Sequence, residues 1–303
     1  MDTIITITVV SPSEKEAETA IDGAFSELER LDKLFSPFSF NSEISKINRS
    51  AGRDFVKVSV DTYNLVNAAI LAAQVSDCAF EPTIGPVSTL WDFVNKVKPQ
   101  LPAPNKIKER LALVNYRDII VDDHDMSIKL RTKGMIIDPG GIAKGFAADK
   151  AVETLKAYGI KAGIVACAGD IKVFGKKPDN NNWLVGIRSP RGSPDDTTAV
   201  LSLTDMALST SGDYERYFII DGIRYHHILD PKTGYCANGF QSVTIVNAQG
   251  VITDSLSTAV FILGPKKGLE LVNKMGLMAY LVYADGSIYI TENLKKLIIK
   301  NDK

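Results

Sequence analysis

Two oxygen-bearing side chains stand four residues apart in TDSLSTAVFILG, at Asp254 and Thr258. The apolar residues around them predict a helix from Asp254 to Leu263 that ends at Gly264-Pro265, and residues four apart share one face of a helix. Mg²⁺ prefers such hard oxygen ligands and completes its octahedron with water or phosphate oxygens. The pair suits a magnesium site, but Asp254 also matches the N-cap of this helix, which is the commoner role for the pattern.

Paired glycines followed by a lysine mark DPGGIAKGFAADKA, residues 138–151, where a helix is predicted from about Gly140 past Leu155. Glycines at a helix start let a phosphate approach the backbone N–H groups, and the helix dipole favours an anion there. Lys144 adds a positive charge. The run has neither the GxGxxG nor the GxxxxGK[ST] pattern. Because the glycines would equally serve tight packing of strand and helix, an anion site and a packing role both stay open.

Two adjacent histidines, His226 and His227, occur in SGDYERYFIIDGIRYHHILDPKTGY, residues 211–235. In an extended segment, adjacent side chains point to opposite faces, so only one of the two can face a given cleft. A histidine beside an Asp-Pro turn is either a general base near neutral pH or a structural imidazole. The sequence pattern leaves both interpretations open.

The secondary structure expected around these residues predicts an α+β fold. The alternating run Thr3 to Val10 predicts a strand, and apolar residues at helical spacing predict a helix from Ser13 to Leu34. CAFEPTIGPVSTLWDF predicts a loop. Further strands and helices follow without a regular βαβ period, so mixed or antiparallel sheets with packed helices are expected. We expect one large unit over residues 1–303, with LPAPNK, near 100–106, as a possible sub-boundary.

The composition excludes several classes of protein. With 35 Lys plus Arg and 36 Asp plus Glu, the net charge is 35 − 36 = −1, which argues against a nucleic-acid partner. The longest apolar stretches, such as 277–284, are far shorter than the ~20 residues of a membrane helix, so no transmembrane segment is expected. The opening MDTIITITVV has no signal-peptide pattern and no lipobox.

Together these motifs resemble, in order, those of the ApbE family of flavin transferases, the FAD:protein FMN transferases, from the opening MDT to at least Gly264. The family's start, its serine-rich loop and its Phe-Asp-Pro-Thr loop correspond to MDT, SPFSFNSEISKIN and FEPTIGP. The later family motifs correspond to DPGGIAKGFAADKA, ACAGDIKVFG, SGDYERYF, HHILDPKTG and DSLSTAVF. An ordered set of motifs is far more specific than any single pattern.

The resemblance implies a T-fold-like α+β architecture, FAD as substrate and a requirement for Mg²⁺. Family members transfer FMN from FAD to a Thr or Ser hydroxyl of an acceptor protein and release AMP; subunits of quinone reductases and Rnf-type complexes are typical acceptors. Two alternatives are an Mg²⁺-dependent FAD pyrophosphatase that makes free FMN and AMP, and a non-catalytic FAD-binding protein. The family is usually exported and membrane-anchored, so the chain is expected to be either a trimmed form or a cytoplasmic member.

The resemblance also implies roles for individual residues. Asp254 and Thr258 correspond to the Mg²⁺ side-chain ligands, with a backbone carbonyl near Gly141 as a third. His227 corresponds to the candidate base, and His226 is assigned to structure. The residues that would lie at the flavin nucleotide or line the FAD are Met1, Ser36, Phe38, Ala79, Phe80, Glu81, Asp138 and Lys144. Asp170 is expected to support the site through turn geometry.

Several positions depart from the family pattern. Phe38 stands where Tyr is usual, which keeps the ring but removes a hydroxyl, and Glu81 replaces the customary Asp. Pro139 replaces Leu, and Ala166 and Ala168 replace Asn and Gly. These changes concern FAD binding more than the metal site, whose Asp and Thr are retained.

Overall fold

The computed structural model describes residues 4–93, 100–193 and 195–299. The helices are α1 (Glu14–Phe35), α2 (Glu43–Arg49), α3 (Val60–Val75), α4 (Gly85–Trp91), α5 (Pro104–Leu111), α6 (Ala143–Ala157), α7 (Gly250–Lys274) and α8 (Glu292–Lys295). The strands are β1 (Ile5–Val10), β2 (Val56–Lys57), β3 (Ile119–Asp122), β4 (Ser127–Leu130), β5 (Ala162–Cys167), β6 (Asp170–Phe174), β7 (Trp183–Arg188), β8 (Thr197–Leu203), β9 (Ala207–Gly212), β10 (Tyr217–Ile220), β11 (Ile223–His226), β12 (Phe240–Asn247), β13 (Met278–Tyr283) and β14 (Ile288–Ile290).

A seven-stranded antiparallel sheet, in the order β1-β5-β6-β9-β12-β13-β14, carries the main core. Helices α1, α3, α6 and α7 cover one face, and their apolar stripes form one buried cluster with the inward residues of the strands. The opposite face is covered by the β7–β8 hairpin and α8, which bury a second cluster that includes Val173, Leu201 and Leu294. The sheet thus holds α6 and α7 side by side on one face.

Two smaller units complete the molecule. Strands β2, β4 and β3 form a three-stranded antiparallel sheet that packs with α2 and α3 around Ile44, Ile128 and Leu130. Strands β10 and β11 form a separate hairpin just before His227. Helix α5, which begins at the expected sub-boundary, packs its Ile107 in the cluster around Trp91 of α4. The organisation as one unit over residues 1–303 stays a prediction.

Helix α4 lies where the sequence predicts a loop. Pro86 stands in its first turn, where the missing N–H of proline costs no hydrogen bond, and Trp91 at its end is fully buried. The indole N–H of Trp91 donates to the carbonyl of Gly234 at 2.9 Å. Burial of this large side chain favours the helix despite the Gly and Pro that are typical of a loop.

Helix α7 begins at Gly250, one turn earlier than the predicted start at Asp254. The carboxylate of Asp149, from α6, accepts hydrogen bonds from the backbone N–H groups of Gly250 and Val251, at 2.9 and 3.0 Å. This carboxylate supplies the cap that local sequence lacks, because such an anion stabilises a helix N-terminus. The predicted stop at Gly264-Pro265 is a kink, with φ of 72° at Gly264, that joins two helical segments.

Candidate active site

Helices α6 and α7 approach each other backbone to backbone at two glycines. A Cβ atom on Gly145 would lie 2.1 Å from the carbonyl oxygen of Gly250, and one on Gly250 would lie 2.5 Å from the carbonyl oxygen of Gly145. Only glycine permits this approach. Gly145 therefore packs helix against helix. The strand-to-helix packing role that the sequence left open concerned the paired glycines Gly140 and Gly141, which belong to the site described next.

Asp254 lies in the second turn of α7 and its side chain is buried. Its Oδ2 accepts a hydrogen bond from the backbone N–H of Gly145, in the first turn of α6, at 2.9 Å. The interpretation of Asp254 as the N-cap of its own helix is therefore wrong, because Asp149 has that role. Burial, and next the negative charge of Asp170, raise the pKa of the Asp254 carboxyl above its ordinary value.

Thr258 follows one turn later on α7 and contacts the turn before α6. A Cβ atom on Gly141 would lie 3.4 Å from Thr258 Oγ1 and 3.2 Å from Cε2 of the Phe80 ring. The hydroxyl of Ser211, on β9, lies 3.1 Å from Thr258 Oγ1. The fold thus brings together Asp254, Thr258 and Gly141.

The donors at this point fit Mg²⁺. A carboxylate, a hydroxyl and a backbone carbonyl near Gly141 are hard oxygen ligands, and Mg²⁺ keeps water or phosphate oxygens in its other positions. Over residues 4–93, 100–193 and 195–299, no three His, Cys, Asp or Glu side chains cluster as a metal site. Asp254, Thr258 and the carbonyl near Gly141 would offer a cation one charged and two neutral oxygen ligands.

Lys144 joins the two buried carboxylates of the site. Its Nζ lies 3.0 Å from Asp170 Oδ2, 3.5 Å from Asp254 Oδ1 and 3.3 Å from the carbonyl oxygen of Gly140. Burial alone would lower the pKa of Lys144, but the two carboxylates outweigh it and raise the pKa above the ordinary value. Asp170, which the sequence assigned to turn geometry, contacts Lys144 directly.

The carboxylates of Asp138 and Glu81 shape the loops beside Gly141. Asp138 accepts hydrogen bonds from the N–H of Gly140, at 3.0 Å, and from the hydroxyl of Ser88, at 3.1 Å. Glu81 is buried and accepts hydrogen bonds from the N–H and hydroxyl of Thr83 and from the N–H of Tyr116. Burial raises the pKa of Glu81.

A direct bond from Asp138 or Glu81 to a nucleotide stays a prediction. Ala79 and Phe80, in the same loop as Glu81, are buried in the main core. Phe80 extends from that core to the turn at Gly141.

The loop after α1 carries the exposed aromatic residue among the predicted FAD contacts. Phe38 is 83% exposed. The backbone carbonyl of Ser36 accepts hydrogen bonds from the hydroxyls of Ser42 and Ser45, which hold the loop against α2. Met1 lies outside the described residues.

The two histidines have different surroundings, as the alternation predicts. His226 is buried, its Nε2 lies 3.0 Å from the carbonyl oxygen of Ala237, and its ring meets Phe261 edge to face. His227 is partly exposed, and its Nδ1 lies 3.3 Å from the carbonyl oxygen of Arg216. Burial lowers the pKa of His227 to about 3, and positive charges that include Lys144 add to this effect.

A row of hydroxyl contacts between β9 and α7 was missed at the level of sequence. Ser209 pairs with Thr253 at 2.7 Å, and Ser211 contacts both Ser257, at 2.9 Å, and Thr258. The alternating polar residues of ALSTSGD were the available signal, because alternate residues of a strand share a face.

Comparison with known proteins connects this geometry to a family. The family model described as "ApbE family" matches residues 1–281. The chain belongs to the ApbE family. An FAD:protein FMN transferase of Treponema pallidum is 33% identical over 285 residues, which cover 89% of this chain and 78% of the relative. That of Klebsiella pneumoniae is 32% identical over 252 residues, 83% of this chain and 78% of the relative.

Solved structures agree with this membership. The crystal structure of the ApbE protein of Thermotoga maritima has a TM-score of 0.92 and 35% identity, over 98% of this chain and 96% of that chain. The apo flavinyl transferase ApbE of Pseudomonas stutzeri has a TM-score of 0.87 and 29% identity, over 98% and 94%. The predicted α+β fold of the ApbE type is confirmed. No helix among the described residues is long and apolar enough to cross a membrane.

Proposed function

We propose that this protein transfers FMN from FAD to a Thr or Ser hydroxyl of an acceptor protein, with release of AMP and a requirement for Mg²⁺. The relatives named FAD:protein FMN transferase support the reaction class. The observation that carries the proposal is the meeting of Asp254 and Thr258 on α7 with the glycine turn at Gly141 and the ammonium of Lys144. This arrangement suits a diphosphate and a divalent ion.

The proposed reaction exchanges the phosphoanhydride bond of FAD for a phosphoester bond to the acceptor. The acceptor oxygen attacks the phosphorus of the FMN half of FAD, and the bond from that phosphorus to the bridging oxygen breaks. AMP leaves with the bridging oxygen, and the proton of the acceptor hydroxyl passes to a base. In the alternative hydrolysis, water takes the place of the hydroxyl and free FMN forms.

His227 is the proposed base. A proton on Nδ1, donated to the carbonyl of Arg216, leaves the lone pair of Nε2 to accept the hydroxyl proton. The pKa of about 3 keeps the ring neutral before substrate arrives. The negative diphosphate of a bound FAD would raise this pKa and so increase the basicity of the ring during the reaction.

The phosphate side of the site is assigned to the α6–α7 crossing. Asp254, Thr258 and a carbonyl near Gly141 would hold Mg²⁺, which supplies charge neutralisation to the diphosphate when bound. Lys144, at the first turn of α6, adds positive charge at a helix N-terminus, where phosphates bind favourably.

We assign the flavin side of the site to the loop after α1, which carries Phe38, and to the loop between α3 and α4, which carries Glu81. The exposed ring of Phe38 is available for stacking on an aromatic system. The other residues proposed to line the FAD, on the sequence-based assignment, are Met1, Ser36, Ala79, Phe80, Glu81 and Asp138. The acceptor is proposed to be a flavoprotein subunit such as those of quinone reductases or Rnf-type complexes.

The deciding experiment incubates the protein with FAD and Mg²⁺, with and without a flavin-acceptor domain. AMP is measured by chromatography and the mass of the acceptor by mass spectrometry. We expect AMP together with an acceptor mass gain equal to FMN, and neither product in Asp254→Asn. AMP with free FMN whatever the acceptor would establish hydrolysis, and intact bound FAD without AMP would establish a binding protein.

A further inference from the structure

The ammonium of Lys144 lies between the carboxylates of Asp170 and Asp254 and contacts them at different distances. Asp254 uses Oδ2 for the N–H of Gly145 and turns Oδ1 toward Lys144 at 3.5 Å. Asp170, at the start of β6, holds the same ammonium more closely, at 3.0 Å. Lys144 therefore occupies the side of Asp254 that a cation would need, while a second carboxylate can keep it nearby.

The charge of this group is set by three side chains. Lys144, Asp170 and Asp254 sum to one negative charge when both carboxyls are ionised. Two titratable side chains, Cys167 and His227, carry no charge at pH 8. Burial raises the pKa of the Cys167 thiol to about 12 and lowers that of the His227 imidazole to about 3. A single negative charge repels a diphosphate, and a divalent cation changes the sum to plus one.

We propose that Lys144 is a positioning residue that couples cation binding to nucleotide binding: its ammonium competes with the divalent cation for Asp254 and retreats onto Asp170 when the cation binds. The inference rests on the proposed function, because it takes the Asp254–Thr258 pair as the cation site. Asp170 then holds Lys144 beside the phosphates, and the loaded site attracts a diphosphate that the unloaded site repels.

The sum of charges predicts opposite changes in the affinity for a divalent cation when Lys144 and when Asp170 is replaced. Lys144→Met removes the competitor and leaves two negative charges, so a divalent cation should bind about tenfold more tightly or better in the absence of nucleotide. Asp170→Asn leaves Lys144 with Asp254 alone and a sum of zero, so the cation should bind about tenfold more weakly or worse. The double variant returns the sum to minus one.

The test is a titration of the full-length protein with Mn²⁺ alone at pH 8, with free Mn²⁺ read by electron paramagnetic resonance. Lys150→Met is the matched control, because Lys150 is on the same helix and pairs with Glu153 at the surface. We expect tighter binding for Lys144→Met, weaker binding for Asp170→Asn, an intermediate value for the double variant and no change for the control. Thermal unfolding checks the fold, and Lys144→Gln replaces Lys144→Met if the latter does not fold.

Unchanged or weaker Mn²⁺ binding in the Lys144 variants would overturn the inference, since a purely structural Lys144 would weaken the site when removed. A second titration measures FAD at saturating Mg²⁺, where Lys144→Met should bind FAD about tenfold more weakly. Failure of the proposed function has a different signature: the wild-type protein would bind Mn²⁺ but yield no AMP and no flavinylated acceptor.

Discussion

The backbone N–H of Gly145 donates a hydrogen bond of 2.9 Å to Oδ2 of Asp254, although 109 residues separate them in the chain. This bond ties the first turn of α6 to the second turn of α7 and leaves Oδ1 of the carboxylate facing Lys144. One oxygen therefore joins the two helices and the other faces the proposed cation site. Substitutions of Asp254 can therefore distinguish its contact between the two helices from its proposed role as a ligand of the cation.

Replacement of Asp254 by Asn should abolish flavin transfer with little loss of stability, because Lys144 keeps its ion pair with Asp170. The amide oxygen still accepts the hydrogen bond from the N–H of Gly145. Removal of the charge also removes the cost of burying a carboxylate, which is what raises the pKa of this group. Asp254→Ala also removes the hydrogen bond and should cost about 1–3 kcal/mol of unfolding free energy. Urea denaturation and the AMP assay measure the two effects, and full activity in Asp254→Asn would refute the metal-ligand role.

Replacement of Gly145 by Ala should destabilise the protein by about 3 kcal/mol or more. The new Cβ would lie 2.1 Å from a backbone oxygen of Gly250, which cannot rotate away as a side chain can. Gly169→Ala is the control, since its Cβ would have Thr210 O as nearest neighbour, at 3.9 Å. Chemical denaturation should show less than about 0.5 kcal/mol for the control, and equal effects would contradict the close helix contact.

Loss of the Ser211 hydroxyl should raise the Mg²⁺ concentration needed for half-maximal transfer by about fivefold, with little change at saturating Mg²⁺. Ser211 contacts Thr258 Oγ1 at 3.1 Å and so orients the hydroxyl proposed to face the cation. Thr210→Val serves as the control, because Thr210 pairs with Thr244 on the other face of the same sheet. A Mg²⁺ titration of Ser211→Ala that matches wild type would exclude the positioning role.

Acid should destabilise the fold in part through His227. Its pKa is about 3 in the folded protein, against an ordinary value of 6.5, so between these pH values the unfolded chain binds a proton that the folded chain does not. Stability is therefore complete above pH 6.5 and falls as the pH decreases toward 3. His227→Gln should flatten this fall in urea denaturation at pH 7.5, 6.5, 5.5 and 4.5.

His226 contributes with the same sign, because burial also lowers its pKa. His124→Gln, at an exposed histidine, is the matched control for the loss of a histidine side chain as such. If the free energy of unfolding depended on pH in His227→Gln as it does in the wild type, folding would not lower the pKa of the His227 imidazole.

The exposed ring of Phe38 should matter for FAD and not for the fold. Phe38→Ala removes a stacking surface, worth about 1 kcal/mol, and should raise the KM for FAD roughly fivefold at unchanged Tm. Phe38→Tyr should keep the wild-type KM. Phe40→Ala is the control, because Phe40 is also exposed and its ring is covered by the guanidinium of Arg49. Equal KM values in all variants would remove Phe38 from the FAD site.

Periodicity and turn chemistry were sufficient for much of the secondary structure. The first helix, predicted from Ser13 to Leu34, is observed as α1 with Ser13 as its N-cap, because its apolar stripe and its cap are both local signals. Helix α4 was missed, because burial of Trp91 overrides the Gly and Pro signals of that segment. The start of α7 was misplaced, because its cap comes from Asp149 on another helix.

The α+β class and the family follow from the sequence alone, through its periodicity and its ordered motifs. The same holds for the residue types proposed for the site: an Asp and a Thr at helical spacing, a glycine turn with a lysine, and one of two histidines. How these groups combine depends on the tertiary structure. The two faces of the Asp254 carboxylate, the Asp170–Lys144 ion pair and the contact of Ser211 with Thr258 all join segments far apart in the chain. Such contacts depend on how helices cross a sheet, and local spacing carries no information about that crossing.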